Sequence, residues 1–206
     1  RSERERLARD VHPLLVTRGV PGTHDVALGI ETIEQLRDLA KGATLAVPRF
    51  DKAQDDQSPR ASWPLAEGPV DLIVLEGWCV GSTAQPASEL DAPINTLEKN
   101  EDPDGQWRRF VNDALATSYP PLFDLLDSLV YIAAPDFDAV FRWRMEQEQK
   151  LRERVATTPS RVQSDEEIVR FVHHFERLTR HNFATLPERA AMTLTLNDDH
   201  QAVRLD

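Results

Sequence analysis

Three clusters of polar residues have types and spacings that could do chemistry. The first is the loop Thr17-Arg18-Gly19-Val20-Pro21-Gly22-Thr23-His24-Asp25. Its glycines would let backbone approach a ligand closely, and Arg18 could hold a carboxylate or phosphate through two parallel N–H bonds. A helix beginning near Asp25 would point its amide dipole at the loop and favour an anion there. The plainer reading is a capped turn with Arg18 in a surface ion pair. The second cluster holds Arg49, Asp51, Lys52, Asp55, Asp56 and Arg60. Such mixed charge suits a polar substrate or a magnesium phosphate, and suits a solvated surface equally well. The third is Glu76, which follows the apolar run Leu72-Ile73-Val74-Leu75 and precedes Gly77. An apolar run without alternation is the pattern of a strand buried on both faces. A carboxylate at its end sits where open α/β sheets place ligands, commonly Mg²⁺ or its waters. The alternative is a solvated acid before a glycine turn.

Other residues carry weaker signals. Arg142, Arg144, Lys150, Arg152 and Arg154 lie among Glu146, Glu148 and Glu153 on one helical stretch. They read either as a solvated face with i,i+4 pairs, Arg142 with Glu146 for instance, or as a lid whose arginines reach a transferring phosphoryl group. His173, His174 and His181 have no zinc-ligand spacing and read as satisfied or solvated side chains. Cys79 has no evident base beside it and reads as a small buried residue. The patterns G-x-S-x-G, H-E-x-x-H and G-x-x-x-x-G-K-[ST] do not occur in the 206 residues.

The elements that must position these groups follow from periodicity. Apolar spacing predicts helices over 1–16, 26–41, 106–118, 137–156 and 165–181, with Pro13 ending the first. Thr23 or Asp25 would cap the second, and Ser164 with Glu167 would form a capping box on the last. Short strands are expected at 44–47, 70–76, 129–133 and 192–196. The segment 48–69 reads as a long functional loop and 82–105 as an irregular excursion. Helices alternating with short apolar strands indicate an α/β domain with a mostly parallel sheet.

Composition narrows the class. A net charge of −11 argues against a general nucleic-acid or anionic-membrane binder. One cysteine leaves no internal disulfide and fits a reducing, cytoplasmic setting. No apolar run approaches the ~18 residues of a membrane span. Length and composition suit one ordinary globular domain, residues 1–206.

Taken in order, TRGVPGTHD (17–25), VPRFDKAQDD (47–56), GPVDLIVLEGWCVG (68–81), FRWRMEQEQKLR (141–152), FVHHFERLTRH (171–181) and LPERA (186–190) resemble the D-glycerate 3-kinase-type members of the P-loop kinases. The resemblance spans nearly the whole chain. It implies a three-layer P-loop NTPase-like domain and an ATP- and Mg²⁺-dependent transfer of the γ-phosphoryl group to a hydroxyl of D-glycerate or a similar small hydroxy acid. It implies that Glu76 is the acid of the Walker B strand, that Arg18, Thr23, His24 and Asp25 line the acceptor site, and that Arg49 and Asp51 border it. Arg142, Arg144 and Lys150 would belong to the lid helix 137–156, Arg144 acting on the transferring group. The family's Walker A loop and an acidic second strand would lie before Arg1. The chain is therefore expected to be roughly the C-terminal two-thirds of such a kinase, with its N-terminal strands missing and little activity alone. A non-catalytic interaction module derived from a kinase is the alternative, as is a kinase for another small acceptor.

Overall fold

The computed structural model describes residues 1–155 and 164–206. These fall into two compact units, Arg1–Val80 with Asp113–Leu126, and Gly81–Asn112 with Asp127–Asp206.

The first unit opens with α1 (Ser2–Asp10), whose Leu7 is buried. His12 then caps a tight 3-10 turn, Pro13–Val16, with Nδ1 accepting from Leu14 N–H at 3.2 Å. Proline suits this first position because it has no N–H to leave unpaired. Asp25 is the cap of α2 (Val26–Arg37), accepting from Leu28 N–H at 3.0 Å. The helix ends at Arg37, four residues short of expectation. Strand β1 (Thr44–Ala46) pairs antiparallel with β4 (Leu65–Glu67). Between them, β2 (Phe50–Asp51) and β3 (Asp56–Gln57) form a small hairpin. The segment 48–69 is therefore not a plain loop: Asp51 accepts from Ala53 and Gln54 N–H and turns the chain back.

The largest correction concerns residues 70–76. They pair with no strand among the described residues, and Leu72 and Val74 are 78% and 76% exposed. Apolar composition favours burial, but a strand also needs a neighbour to take its backbone bonds. No described segment offers one here.

In the second unit, α3 (Thr96–Glu101) gives order to the expected excursion 82–105. Helix α4 (Gln106–Thr117) is shared between the units, and α5 (Pro120–Phe123) follows it in the first. Strand β5 (Val130–Ala133) lies parallel to β6 (Met192–Leu196), which pairs antiparallel with an unforeseen last strand, β7 (Ala202–Leu205). The sheet is thus mixed, and β5 is not buried on both faces: Val130 and Ile132 are 56% and 60% exposed. Helix α6 (Phe137–Val155) packs on α7 (Asp165–Arg189). Phe137, Ile168 and Val172 form the core, with Val140, Phe141 and Met145 against it. Leu151 is exposed, and residue 156, the expected end of this helix, lies outside the described residues. The capping box is present: Glu167 N–H donates to Ser164 Oγ at 3.2 Å, and Ser164 N–H to Glu167 Oε2 at 2.8 Å. Helix α7 runs eight residues past its expected end and includes Pro187. Among the described residues no helix is long and apolar enough to cross a membrane.

Candidate substrate-binding site

The loop Thr17–Asp25 is fixed from several sides within the first unit. Gly19 and Gly22 have φ of 100° and 90°, the left-handed region that side chains avoid. Just after Gly22, Thr23 Oγ1 reaches back to donate to Val20 C=O at 2.7 Å and accept from Gly19 N–H at 3.1 Å. Trp78 Nε1–H donates to Gly19 C=O at 2.7 Å. That bond ties the loop to the Gly77–Val80 turn that directly follows Glu76. The Tyr119 hydroxyl accepts from Gly22 N–H at 3.1 Å and lies 2.5 Å from His24 Nδ1.

Arg18 is paired with Asp55 and stands over the Phe50 ring, 5.5 Å from its centroid. The β2–β3 hairpin, which carries Asp51, is thereby brought to the loop. Asp55 adopts φ of 54°, which Asp tolerates better than most residues. Burial opposes its charge, but hydrogen bonds from Arg4 and Arg18 outweigh that and hold its pKa below the usual carboxylate value. Partial desolvation lowers the pKa of His24, and burial raises that of Tyr119.

The expected site residues therefore separate. Arg18 and His24 present polar groups on an exposed part of the loop. Thr23 and Asp25 spend their oxygens on the turn and the helix cap, so they shape the loop. Arg49 is exposed and its guanidinium has no partner among the described residues. Asp51 serves its own turn. Glu76 is exposed and has no partner among the described residues.

In the second unit, Arg142 pairs with Asp198, not with Glu146. Glu146 pairs with Lys150, and Arg144 with Glu148 at 3.0 Å. Arg144 also stands over the Phe171 ring. All three basic residues assigned to the lid are thus engaged within their own unit. The histidines are satisfied as expected: His174 Nδ1–H donates to Arg170 C=O at 2.9 Å, and His181 Nε2 lies 3.0 Å from Thr83 Oγ1. Cys79 is buried, and burial pushes its thiol up to about 12.

The residues present do not by themselves fit a magnesium nucleotide. Among the described residues no three His, Cys, Asp or Glu side chains converge as metal ligands. Glu76 is one solitary carboxylate, and the sequence contains no Walker A pattern.

Sequence reasoning missed Tyr119, Arg4 and Trp78 as supports of the loop. Tyr119 is 95 residues from His24 in the chain, so no local pattern joins them. Its position before Pro120-Pro121 signals only a helix end.

No family model matches the chain. It is 33% identical over 167 residues to the chloroplastic D-glycerate 3-kinase of Arabidopsis thaliana, covering 79% of this chain and 33% of that protein. It is 31% identical over 172 residues to an uncharacterized kinase of Schizosaccharomyces pombe, covering 80% of this chain and 58% of the relative. The chain is a relative of the D-glycerate 3-kinase-type kinases. Its fold agrees: a solved D-glycerate 3-kinase from Cryptococcus neoformans superposes with a TM-score of 0.76 at 22% identity, covering 100% of this chain and 74% of that one. The α/β class of these kinases is therefore this chain's class. The chain spans a third to just under three-fifths of the length of these two curated relatives.

Proposed function

We propose that this chain carries the acceptor-binding part of an ATP-dependent small-molecule kinase. The reaction is transfer of the γ-phosphoryl group to a hydroxyl of D-glycerate or a similar small hydroxy acid. The observation that carries this reading is the fixed loop Thr17–Asp25 in a chain whose relatives include a D-glycerate 3-kinase. Arg18 and the N-terminus of α2 suit the acceptor's carboxylate. His24 and Arg49 suit its remaining oxygens, and Thr23, Asp25 and Asp51 hold the frame. Phosphoryl transfer relies on positioning and charge stabilisation, which such a frame supports.

Glu76 is assigned to Mg²⁺, and Arg142, Arg144 and Lys150 to the nucleotide side, with Arg144 on the transferring group. The described residues of this chain do not by themselves complete a metal site. The phosphate cradle is not among these 206 residues, so the chain alone should turn over poorly. Buried Cys79 and the absence of a second cysteine accord with a reducing, cytoplasmic setting.

The test is an ADP-release assay on the natural full-length protein with D-glycerate and other small hydroxy acids. Activity with D-glycerate is expected. An intact, folded protein inert toward every hydroxy acid would remove the proposal. Activity on a different alcohol would keep the kinase class and change the acceptor.

A further inference from the structure

The outward nitrogen of His24 carries a hydrogen whose place is dictated from behind. The Tyr119 hydroxyl meets two partners, Gly22 N–H at 3.1 Å and His24 Nδ1 at 2.5 Å. An amide N–H can only donate, so it occupies a lone pair on the phenol oxygen. Tyr119 is buried and its hydroxyl has no other partner among the described residues, so its single hydrogen is satisfied only by donating to Nδ1, and a nitrogen that accepts it must itself be unprotonated. The neutral ring's hydrogen therefore sits on Nε2. No described residue bonds to Nε2, and His24 is exposed.

The support behind it is rigid. Tyr119 is 2% exposed, and its ring leans on Phe123 with centroids 5.6 Å apart. The His24 ring meets it edge-on, with centroids 6.0 Å apart and planes at 76°. Partial desolvation of the imidazole where it meets the protein also favours its neutral form. By contrast, the charged Arg18 in the same loop is already balanced by Asp55. The loop thus offers one neutral N–H donor beside one neutralised cation.

We propose that Tyr119 is a positioning residue that locks His24 in the Nε2–H tautomer, so that His24 donates a hydrogen bond to a carboxylate or hydroxyl oxygen of the acceptor. This rests on the kinase reading for the identity of the acceptor, but not for the tautomer. It also fixes what His24 does not do. With Nδ1 engaged and Nε2 protonated, the ring has no lone pair to take the acceptor's proton. His24 binds the acceptor, and another group removes the proton.

Long-range ¹H–¹⁵N correlation spectra of the ¹⁵N-histidine-labelled full-length protein read the tautomer directly, with the His24→Ala spectrum identifying the signal. The expected wild-type pattern is an unprotonated Nδ1 and a protonated Nε2. Tyr119→Phe should release the lock and give a mixture of tautomers. In the kinase assay Tyr119→Phe should raise KM for the hydroxy acid about tenfold and leave KM for ATP in place, which a merely structural loss would not do. His24→Gln puts an amide N–H near the position of Nε2 and should recover most of the KM lost in His24→Ala. It needs no change at Tyr119, so it serves even where Tyr119→Phe does not fold. A protonated Nδ1 in the wild type, or an unchanged tautomer in folded Tyr119→Phe, overturns the proposal. So does a loss of kcat of about a hundredfold or more in His24→Gln, the mark of a general base. A protein inactive toward all hydroxy acids but showing the expected tautomer refutes the kinase reading and leaves the lock standing.

Discussion

Arg4 donates twice to Asp55, to its backbone carbonyl and to Oδ2, both at 2.8 Å. Arg4 is only 7% exposed and also donates to Val16 C=O at 2.8 Å. The carboxylate's other oxygen holds Arg18. A buried arginine at the chain's start therefore fixes the candidate acceptor-binding arginine through one aspartate. Arg4→Ala should destabilise the protein by about 1–3 kcal/mol, because it strips a buried hydrogen-bond network of its donor. It should also raise KM for a hydroxy acid. Urea melts and acceptor titrations would check both.

That network has a pH signature. Asp55 has a depressed pKa in the fold, so its stabilisation is complete above the ordinary carboxylate value and is lost as pH falls through its lower folded value. The urea midpoint of Asp55→Asn should lie below that of the wild type at pH 7. The gap should narrow as pH drops below about 3.8. A gap that stays constant down to acid pH would show that the carboxylate's charge is not what matters.

His174 titrates in a different window. It is buried with its ring edge-on to Trp107, centroids 5.8 Å apart. Burial lowers its pKa to about 4. Between about 4 and its ordinary 6.5 the unfolded chain binds a proton that the fold does not, so stability falls as pH drops through that range. The full effect is on the order of 3 kcal/mol, from 1.36 kcal/mol per pKa unit. Urea melts at pH 7.5 and pH 4.5 should differ less in His174→Gln than in the wild type.

Asp25 and Glu76 separate framework from chemistry. Asp25→Ala removes the cap of α2 and should cost about 1 kcal/mol, largely restored in Asp25→Ser. Glu76 has no partner among the described residues, so Glu76→Gln should leave the urea midpoint in place. In the full-length protein the same change should lower kcat at least tenfold if Glu76 serves the metal, roughly the loss seen when a metal's supporting shell is altered. An unchanged kcat would remove Glu76 from the site.

Exposed apolar side chains should make the 206-residue chain self-associate. Leu72 and Val74 lie on the unpaired run of the first unit. In the second unit, Val130 faces Met192, and Ile132 faces Leu194, which in turn faces Leu205, along one side of the sheet. Sedimentation of the wild type should show larger species as concentration rises, and Leu72→Lys with Ile132→Lys should reduce them. A monomer with a cooperative urea transition would instead favour the stand-alone interaction module.

The sequence by itself marked several features that depend on neighbours a few residues apart. The i,i+3/i+4 spacing marked α6 and α7. Ser164 and Glu167 announced their capping box, and the glycines of residues 17–25 announced a shaped loop. The ordered motifs from TRGVPGTHD to LPERA carried the family. Tertiary structure decided matters that depend on long-range partners. Whether Leu72–Leu75 becomes a strand depends on a neighbouring backbone, and none is paired with it here. Whether Arg142 meets Glu146 or Asp198 depends on a residue 56 positions away. The loop's chemistry is set the same way. Arg18 is neutralised by Asp55, and the hydrogen of His24 is placed by Tyr119, because charge and hydrogen bonds act through space and not along the chain.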